Sequence, residues 1–230
     1  IVAGEMDAVP VKPDLAIHLA WYVSPVDYLD SPENRACLEA SLRLLKALDC
    51  RVVFAGTAFE LDTREGTIRE DGPLRPLTLY SQCKDALRRE VVKRPDAAWV
   101  RFFYQYGPHE DPRRRIPSAI LGLLRGEPVR ATKGDERRDY LHVEDVASAV
   151  CAVATRGLSG TVNIGSGTAP RMGDILGRIG ELCGRPDLIR WGAVPYYAEE
   201  PMLIVADNAK LCSTGWRPKC CIKVHGSGDD

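Results

Sequence analysis

Apolar residues recur along this chain with two different periods. Asp14-Leu-Ala-Ile-His-Leu-Ala20 follows a proline as a short, nearly continuous apolar run, the signature of a strand buried on both faces. After Ser31-Pro32-Glu33 the spacing becomes helical, with Ala36, Leu38, Leu42, Leu44, Leu45 and Leu48 continuing to about Asp49. A cap residue, a proline in the first turn and an acid near the positive end predict the start of that helix. Arg51-Val-Val-Phe-Ala55 predicts the next buried strand, and residues 60–72 read as a polar loop. Pro73 and Pro76 precede a helix carrying Tyr80 and Lys84, and Ala97-Ala-Trp-Val-Arg-Phe-Phe103 predicts a third strand. Further on, a helix is predicted near Ile116–Leu124, a strand at Gly126–Arg130, and a strand returning to the main sheet around Val162–Gly165.

Strands alternating with helices predict an α/β fold: a doubly wound parallel sheet with helices on both faces. Such sheets bind ligands at the carboxyl ends of their strands. Ala20, Thr57 and Tyr104 all fall at such ends, so the chemistry is expected along one edge.

Composition narrows the class. The chain has 230 residues, 45% hydrophobic and 27% charged, enough for one or two domains with a proper core. A net charge of −1 gives no general attraction to nucleic acid or anionic membrane. No apolar run reaches membrane-spanning length and no signal peptide opens the chain, so a soluble, cytoplasmic protein is expected. The eight cysteines lack paired C-x-x-C spacing, and most read as small reduced core residues. Cys220-Cys221 is a vicinal pair that leaves metal binding or redox chemistry open.

Tyr80-Ser-Gln-Cys-Lys84 places a phenol and an ammonium one turn apart on the same helical face. A buried ammonium beside a phenol favours the phenolate, so a proton on Tyr80 becomes available near neutral pH. Thr57 offers a hydroxyl that can hold a substrate oxygen while that proton moves. Tyr-x-x-x-Lys also arises by chance on surface helices. The order of the surrounding elements gives it weight.

Several further segments stand in a recognisable order. They are His18-Leu-Ala20, Phe54-Ala-Gly-Thr57, Tyr80-x-x-x-Lys84, Arg101-Phe-Phe-Tyr-Gln-Tyr-Gly-Pro108, Arg138-Asp-Tyr-Leu-His-Val-Glu-Asp145, Asn163-Ile-Gly-Ser-Gly167 and Gly215-Trp216-Arg-Pro218. Together they resemble the extended short-chain dehydrogenase/reductases, in the epimerase/dehydratase branch that acts on nucleotide-linked sugars. The resemblance runs from about Gly4 to Pro218 and implies NAD or NADP as cofactor. It implies that Tyr80 is the general acid/base, that Lys84 holds the nicotinamide ribose, and that Thr57 orients the sugar oxygen. Glu5 and Met6 would flank the adenine. Leu19, Ala20, Trp21, Asn34 and Phe103 would border the cofactor, together with Tyr80 and Lys84. Tyr104 and Arg138 would meet the nucleotide-diphosphate sugar, Arg138 as a planar fork on the diphosphate. His142, in the same corner, reads as structural. A homodimer through the helices near 34–48 and 80–93 is also implied.

Departures from the family pattern refine this expectation. The family's 4,6-dehydratases carry Asp-Glu directly after the threonine, whereas Ala58-Phe59 stand here, so dehydration lacks its acid and base. The segment from Trp191 to Met202 resembles 4-ketoreductases of deoxysugar pathways, which implies NADPH and reduction of a 4-keto-6-deoxyhexose. A 4-epimerase, or a non-catalytic remnant that binds a sugar nucleotide or a partner, remains open. Tyr104 replaces an asparagine of the family, and Tyr197 stands where a phosphate-binding arginine is common. The glycine-rich opening turn has no counterpart, and Ile1–Asp7 looks like the family's third strand, so the first β-α units are expected to be absent. Residues 1–105, with about 140–167, would form an incomplete dinucleotide-binding domain. Residues 106–139 and 168–218 would form a small interleaved α+β substrate lobe, and 219–230 a disordered tail.

Overall fold

The computed structural model describes residues 12–220 and Ile222. The expected adenine neighbours Glu5 and Met6, and nearly all of the expected tail, lie outside the described residues. Among those described, the chain runs β1 (Leu15–His18), α1 (Glu33–Ala47), β2 (Arg51–Thr57), β3 (Thr67–Ile68), α2 (Leu79–Val91), β4 (Ala98–Phe102) and β5 (Tyr104–Tyr106). It continues through α3 (Arg115–Leu124), β6 (Val129–Arg130), β7 (Arg137–Arg138), β8 (Tyr140–His142), α4 (Val143–Thr155) and β9 (Gly160–Ile164). The last elements are α5 (Met172–Leu182), β10 (Ile189–Arg190), β11 (Leu203–Ala206) and α6 (Ala209–Cys212).

Among the described residues four strands form the main sheet, in the order β1-β2-β4-β9, and every pairing is parallel. Successive side chains of a strand point to opposite faces, so a sheet covered on both sides needs apolar residues at every position. Val52, Phe54 and Trp99 pack against Leu45, Leu48, Leu87 and Val91 of the α1–α2 side. Val53, Ala98 and Val100 pack against Val146, Ala149, Val150 and Val153 of α4 on the other. This is the doubly wound α/β arrangement that the alternation predicted.

The helix that matters most, α2, begins where its sequence directs. Thr78 Oγ1 accepts from the Ser81 N–H at 3.2 Å while Ser81 Oγ accepts from the Thr78 N–H at 3.0 Å. This reciprocal cap satisfies two otherwise orphaned donors and sets the rotation of the helix. Tyr80 and Lys84 therefore face the sheet.

A second, smaller core gathers Ile116, Leu123, Met172, Ile175, Leu176 and Ile189. The parallel pair β6–β10 packs against it, while a sheet of order β3-β11-β7 packs its Ile68, Ile204 and Ala206 in a separate cluster with Ala58, Leu61 and Phe103. The participation of β3 departs from the polar loop expected over 60–72. Val205 and Ala206 of β11 pair with Thr67 and Ile68. Arg101 also donates to the Glu70 carbonyl at 2.8 Å, and Asn163 Nδ2 to the Ile68 carbonyl at 2.9 Å. Two buried side chains of the main sheet thus hold a segment whose own sequence carries no strand period.

Candidate active site

Thr57 ends β2 and starts the short 3-10 turn Ala58–Glu60. Its Oγ1 accepts from the Phe59 N–H at 3.3 Å, which holds the hydroxyl at the carboxyl edge of the sheet. On α2, Tyr80 and Lys84 come to the same edge, and both are buried. Lys84 Nζ donates to the Ala55 carbonyl of β2 at 2.8 Å and lies 5.9 Å from the centre of the Tyr80 ring. Trp21 covers the ammonium, with its ring centre 3.8 Å from Nζ, a favourable contact between a cation and a π face. The Trp21 indole in turn donates to Asn34 Oδ1 at 2.8 Å.

Burial governs the electrostatics. It pushes the Tyr80 phenol above its usual value, with the Thr57 hydroxyl acting in the opposite direction. Burial lowers Lys84 to about 7, while Glu60 and Cys37 favour its charged form. The expectation that Lys84 frees the Tyr80 proton near neutral pH is therefore corrected for this structure. The ammonium is bound to Ala55 and covered by Trp21, and burial is the largest influence on the Tyr80 phenol. His18, beside the site, falls to about 4 through burial and the nearby Lys84 charge, and its Nε2 shares a hydrogen bond with Ser41 Oγ at 2.9 Å.

Beneath Thr57 is a polar platform that inspection of the sequence missed. Glu60 is fully buried, and its carboxylate accepts from the Thr57 N–H at 2.9 Å and from Arg101 Nε at 3.0 Å. Trp99 Nε1 donates to it as well, at 3.0 Å. Burial raises the Glu60 pKa, and the Arg101 charge is the leading influence that lowers it. Gly56 makes room for this arrangement, since a Cβ there would sit 2.1 Å from Trp99 Nε1. A glycine before the threonine and an arginine on the next strand were the available sequence signals.

The residues expected on the substrate side converge at the same edge. The Tyr104 and Tyr140 ring centres lie 5.3 Å apart, and Phe59 meets Tyr104 edge-on at 6.4 Å. Arg138 is buried, with its guanidinium 5.9 Å from the centre of the Tyr104 ring. It is paired with Glu200 and also donates to the Arg137 carbonyl at 2.9 Å. A cavity of about 210 Å³ lies alongside, lined mainly by Tyr28, Leu29, Phe59, Leu61, Leu77 and Thr78.

The expected cofactor neighbours are placed unevenly. Leu19 and Ala20 are exposed just beyond β1. Trp21 lies on Lys84, as described. Asn34 is buried, and its amide is committed to Trp21 and to the carbonyls of Tyr28 and Ser31. Phe103 packs into an apolar cluster with Ala58, Leu61, Ile68, Ile204 and Ala206, so its ring serves the core. Tyr197 is 81% exposed.

A parallel doubly wound sheet with a threonine, a tyrosine and a lysine at one edge defines the class of short-chain dehydrogenase/reductases. The chain belongs to the NAD dependent epimerase/dehydratase family, whose model matches residues 4–165. It is similar to the dTDP-glucose 4,6-dehydratase of Streptomyces griseus, 36% identical over 138 residues that cover 57% of this chain and 41% of that enzyme. It is also similar to the CDP-abequose synthase of Salmonella typhimurium, 24% identical over 189 residues, or 77% of this chain and 63% of that protein. The chain thus spans less than two thirds of the length of either relative. Among solved structures, MoeE5 in complex with UDP-glucose and NAD superposes with a TM-score of 0.74 at 28% identity, covering 91% of this chain and 75% of that one. RMD from Pseudomonas aeruginosa, complexed with NADPH, shares the fold with a TM-score of 0.79 at 20% identity, covering 92% and 78%.

Of the expected cofactor neighbours, Lys84 has donors that fit the family's dinucleotide, although Trp21 lies over its ammonium. Lys84 is 3% exposed, and among the described residues its ammonium has one hydrogen-bonded oxygen, the Ala55 carbonyl, so its remaining donors suit the hydroxyls of a ribose. No helix among the described residues is long and apolar enough to cross a membrane.

Proposed function

We propose that this protein reduces the 4-keto group of a nucleotide-linked 4-keto-6-deoxyhexose, using NADPH or NADH. The observation that carries this reading is the chemistry around Thr57. Ala58 and Phe59 follow it, neither of which ionises, and the next carboxylate, Glu60, is buried and bonded to Thr57, Trp99 and Arg101. Elimination of water needs an acid and a base at the sugar. Proton delivery to a ketone oxygen needs one donor, and Tyr80 supplies it.

The reduced nicotinamide would supply the hydride to carbon 4. Lys84 would hold its ribose, with Trp21 moving off the ammonium to admit it. Thr57 would hold the ketone oxygen, and Tyr80 would give that oxygen its proton, leaving an alcohol and an oxidised cofactor. Arg138 would bind the diphosphate in place of Glu200, and Tyr104 would border the sugar. The largely apolar cavity beside Phe59 and Leu77 suits a sugar whose carbon 6 is a methyl. We place a homodimer contact on the outward faces of α1 and α2.

The test is to mix the protein with NADPH or NADH and a nucleotide-linked 4-keto-6-deoxyhexose, following cofactor absorbance and product stereochemistry. Stoichiometric cofactor oxidation with a new alcohol at carbon 4 is expected. Inversion of a nucleotide sugar without net cofactor consumption would make the protein a 4-epimerase. A folded protein that binds sugar nucleotide but no dinucleotide would be a binding remnant.

A further inference from the structure

A site with different chemistry lies at the other end of the small β5–β8 sheet, where Tyr106 pairs with His142. His142 ends β8 and caps α4, with its Nδ1 accepting from the Glu144 N–H at 3.3 Å. Glu144 projects from the first turn and is exposed. Against them comes Cys220, which follows the Trp216–Pro218 segment. A nitrogen of His142, a carboxylate oxygen of Glu144 and the Cys220 sulfur all lie within 4.8 Å of one another. They form the only such group of potential ligands among the described residues.

The placement of Cys220 is built in. Asp145, buried in the same helical turn, accepts from the N–H of Cys220 at 2.7 Å and from that of Lys219 at 3.0 Å through the same Oδ2. From the other side, the Tyr106 hydroxyl donates to the Cys220 carbonyl at 3.3 Å, and its ring meets the His142 ring edge-on at 5.2 Å. The backbone of Cys220 is thus pinned through both its amide and its carbonyl, and its sulfur lies within 4.8 Å of the His142 and Glu144 ligand atoms. None of these groups takes part in the proposed reduction.

We propose that His142, Glu144 and Cys220 bind a divalent transition ion of the zinc class. Imidazole, thiolate and carboxylate together match the borderline-soft preference of zinc and are a poor match for magnesium or calcium. A thiolate and a carboxylate carry two negative charges that a divalent cation neutralises. A four-coordinate ion with bonds of about 2.0–2.3 Å holds its ligand atoms roughly 3.5 Å apart, so the group closes by rotation of the exposed Glu144 and of the thiol. Nδ1 of His142, 4.0 Å from a Glu144 carboxylate oxygen, then gives up the long bond it accepts from the Glu144 N–H. Water completes the fourth position. The ion ties the segment after Trp216 to the β8–α4 corner.

Cobalt(II) titration of the chelator-stripped protein tests this site, because cobalt reports thiolate ligation by a charge-transfer band. The wild-type protein should take up a single equivalent, show that band with tetrahedral ligand-field absorption, and lose both on addition of Zn²⁺. Cys220→Ser should remove the charge-transfer band and weaken binding by at least about tenfold. His142→Asn, which retains a good helix cap, should weaken binding to a similar degree. Cys221→Ser, Cys212→Ser and Tyr80→Phe should leave the band unchanged. Zn²⁺ should raise the Tm of the wild type and not that of Cys220→Ser, with folding of each variant checked by circular dichroism. The proposal is overturned by a wild type without the band, by a band that survives in Cys220→Ser, or by one that disappears in Cys221→Ser instead.

Discussion

Glu60 and Arg101 form an ion pair in the interior, Nε to Oε2 at 3.0 Å, under the strand end that carries Thr57. Neither side chain is more than 1% exposed, and the same carboxylate holds the Thr57 N–H at 2.9 Å. One buried acid thus connects Trp99 and Arg101 of β4 to the backbone of Thr57, the residue that carries the candidate catalytic hydroxyl.

Removing one partner of such a pair leaves an uncompensated buried charge. Glu60→Gln should therefore cost about 3–5 kcal/mol of stability by urea denaturation, as for other broken buried pairs. A loss under about 1 kcal/mol would mean that Glu60 does not organise this edge.

Tyr80→Phe removes one hydroxyl and leaves the ring packed edge-on against Tyr28, whose centre is 5.1 Å away. Turnover should fall by about 10²–10⁴-fold, the usual contribution of a positioned proton donor, with sugar-nucleotide affinity little changed. Steady-state kinetics together with calorimetric binding separate the two effects. Retained turnover would remove Tyr80 from the mechanism.

Lys84 links stability to pH. Its pKa falls from 10.5 to about 7 on burial, so between these values the unfolded chain holds a proton that the folded protein has released. Stability from this group is fully present above 10.5 and is lost as pH falls toward about 7. Lys84→Met should flatten this part of the stability profile and abolish turnover. Parallel profiles for wild type and variant would show that the lysine is not desolvated as described.

Arg138 is already paired with Glu200, so a diphosphate bound there as proposed would compete with that carboxylate. Glu200→Gln should tighten binding of a nucleoside diphosphate several-fold, and Arg138→Gln should weaken it by a larger factor, both by calorimetry. Weaker binding in Glu200→Gln would instead make Glu200 a partner that orients the arginine.

Much of this architecture was legible in the residue order. β2 and β4 are covered on both faces, so their apolar runs are nearly continuous and visible without knowing their neighbours. Thr57, Tyr80 and Lys84 were legible because helix spacing and strand ends are local properties. Glu60 was not. It reads as one acid in a polar loop, and its role depends on Arg101, 41 residues later. The strand β3 was hidden for the same reason, since its pairing partner is β11.

The sequence by itself therefore determined the alternation of elements and the spacing of Tyr80 and Lys84, which follow from short-range periodicity, while the order of its motifs carried the resemblance to the family. Tertiary structure decided how those side chains stand electrostatically. It put Trp21 over Lys84, sealed Tyr80 from water and paired Arg138 with Glu200, 62 residues away. Burial and long-range pairing set the free energy of a charge, and neither is a property of the residue that bears it.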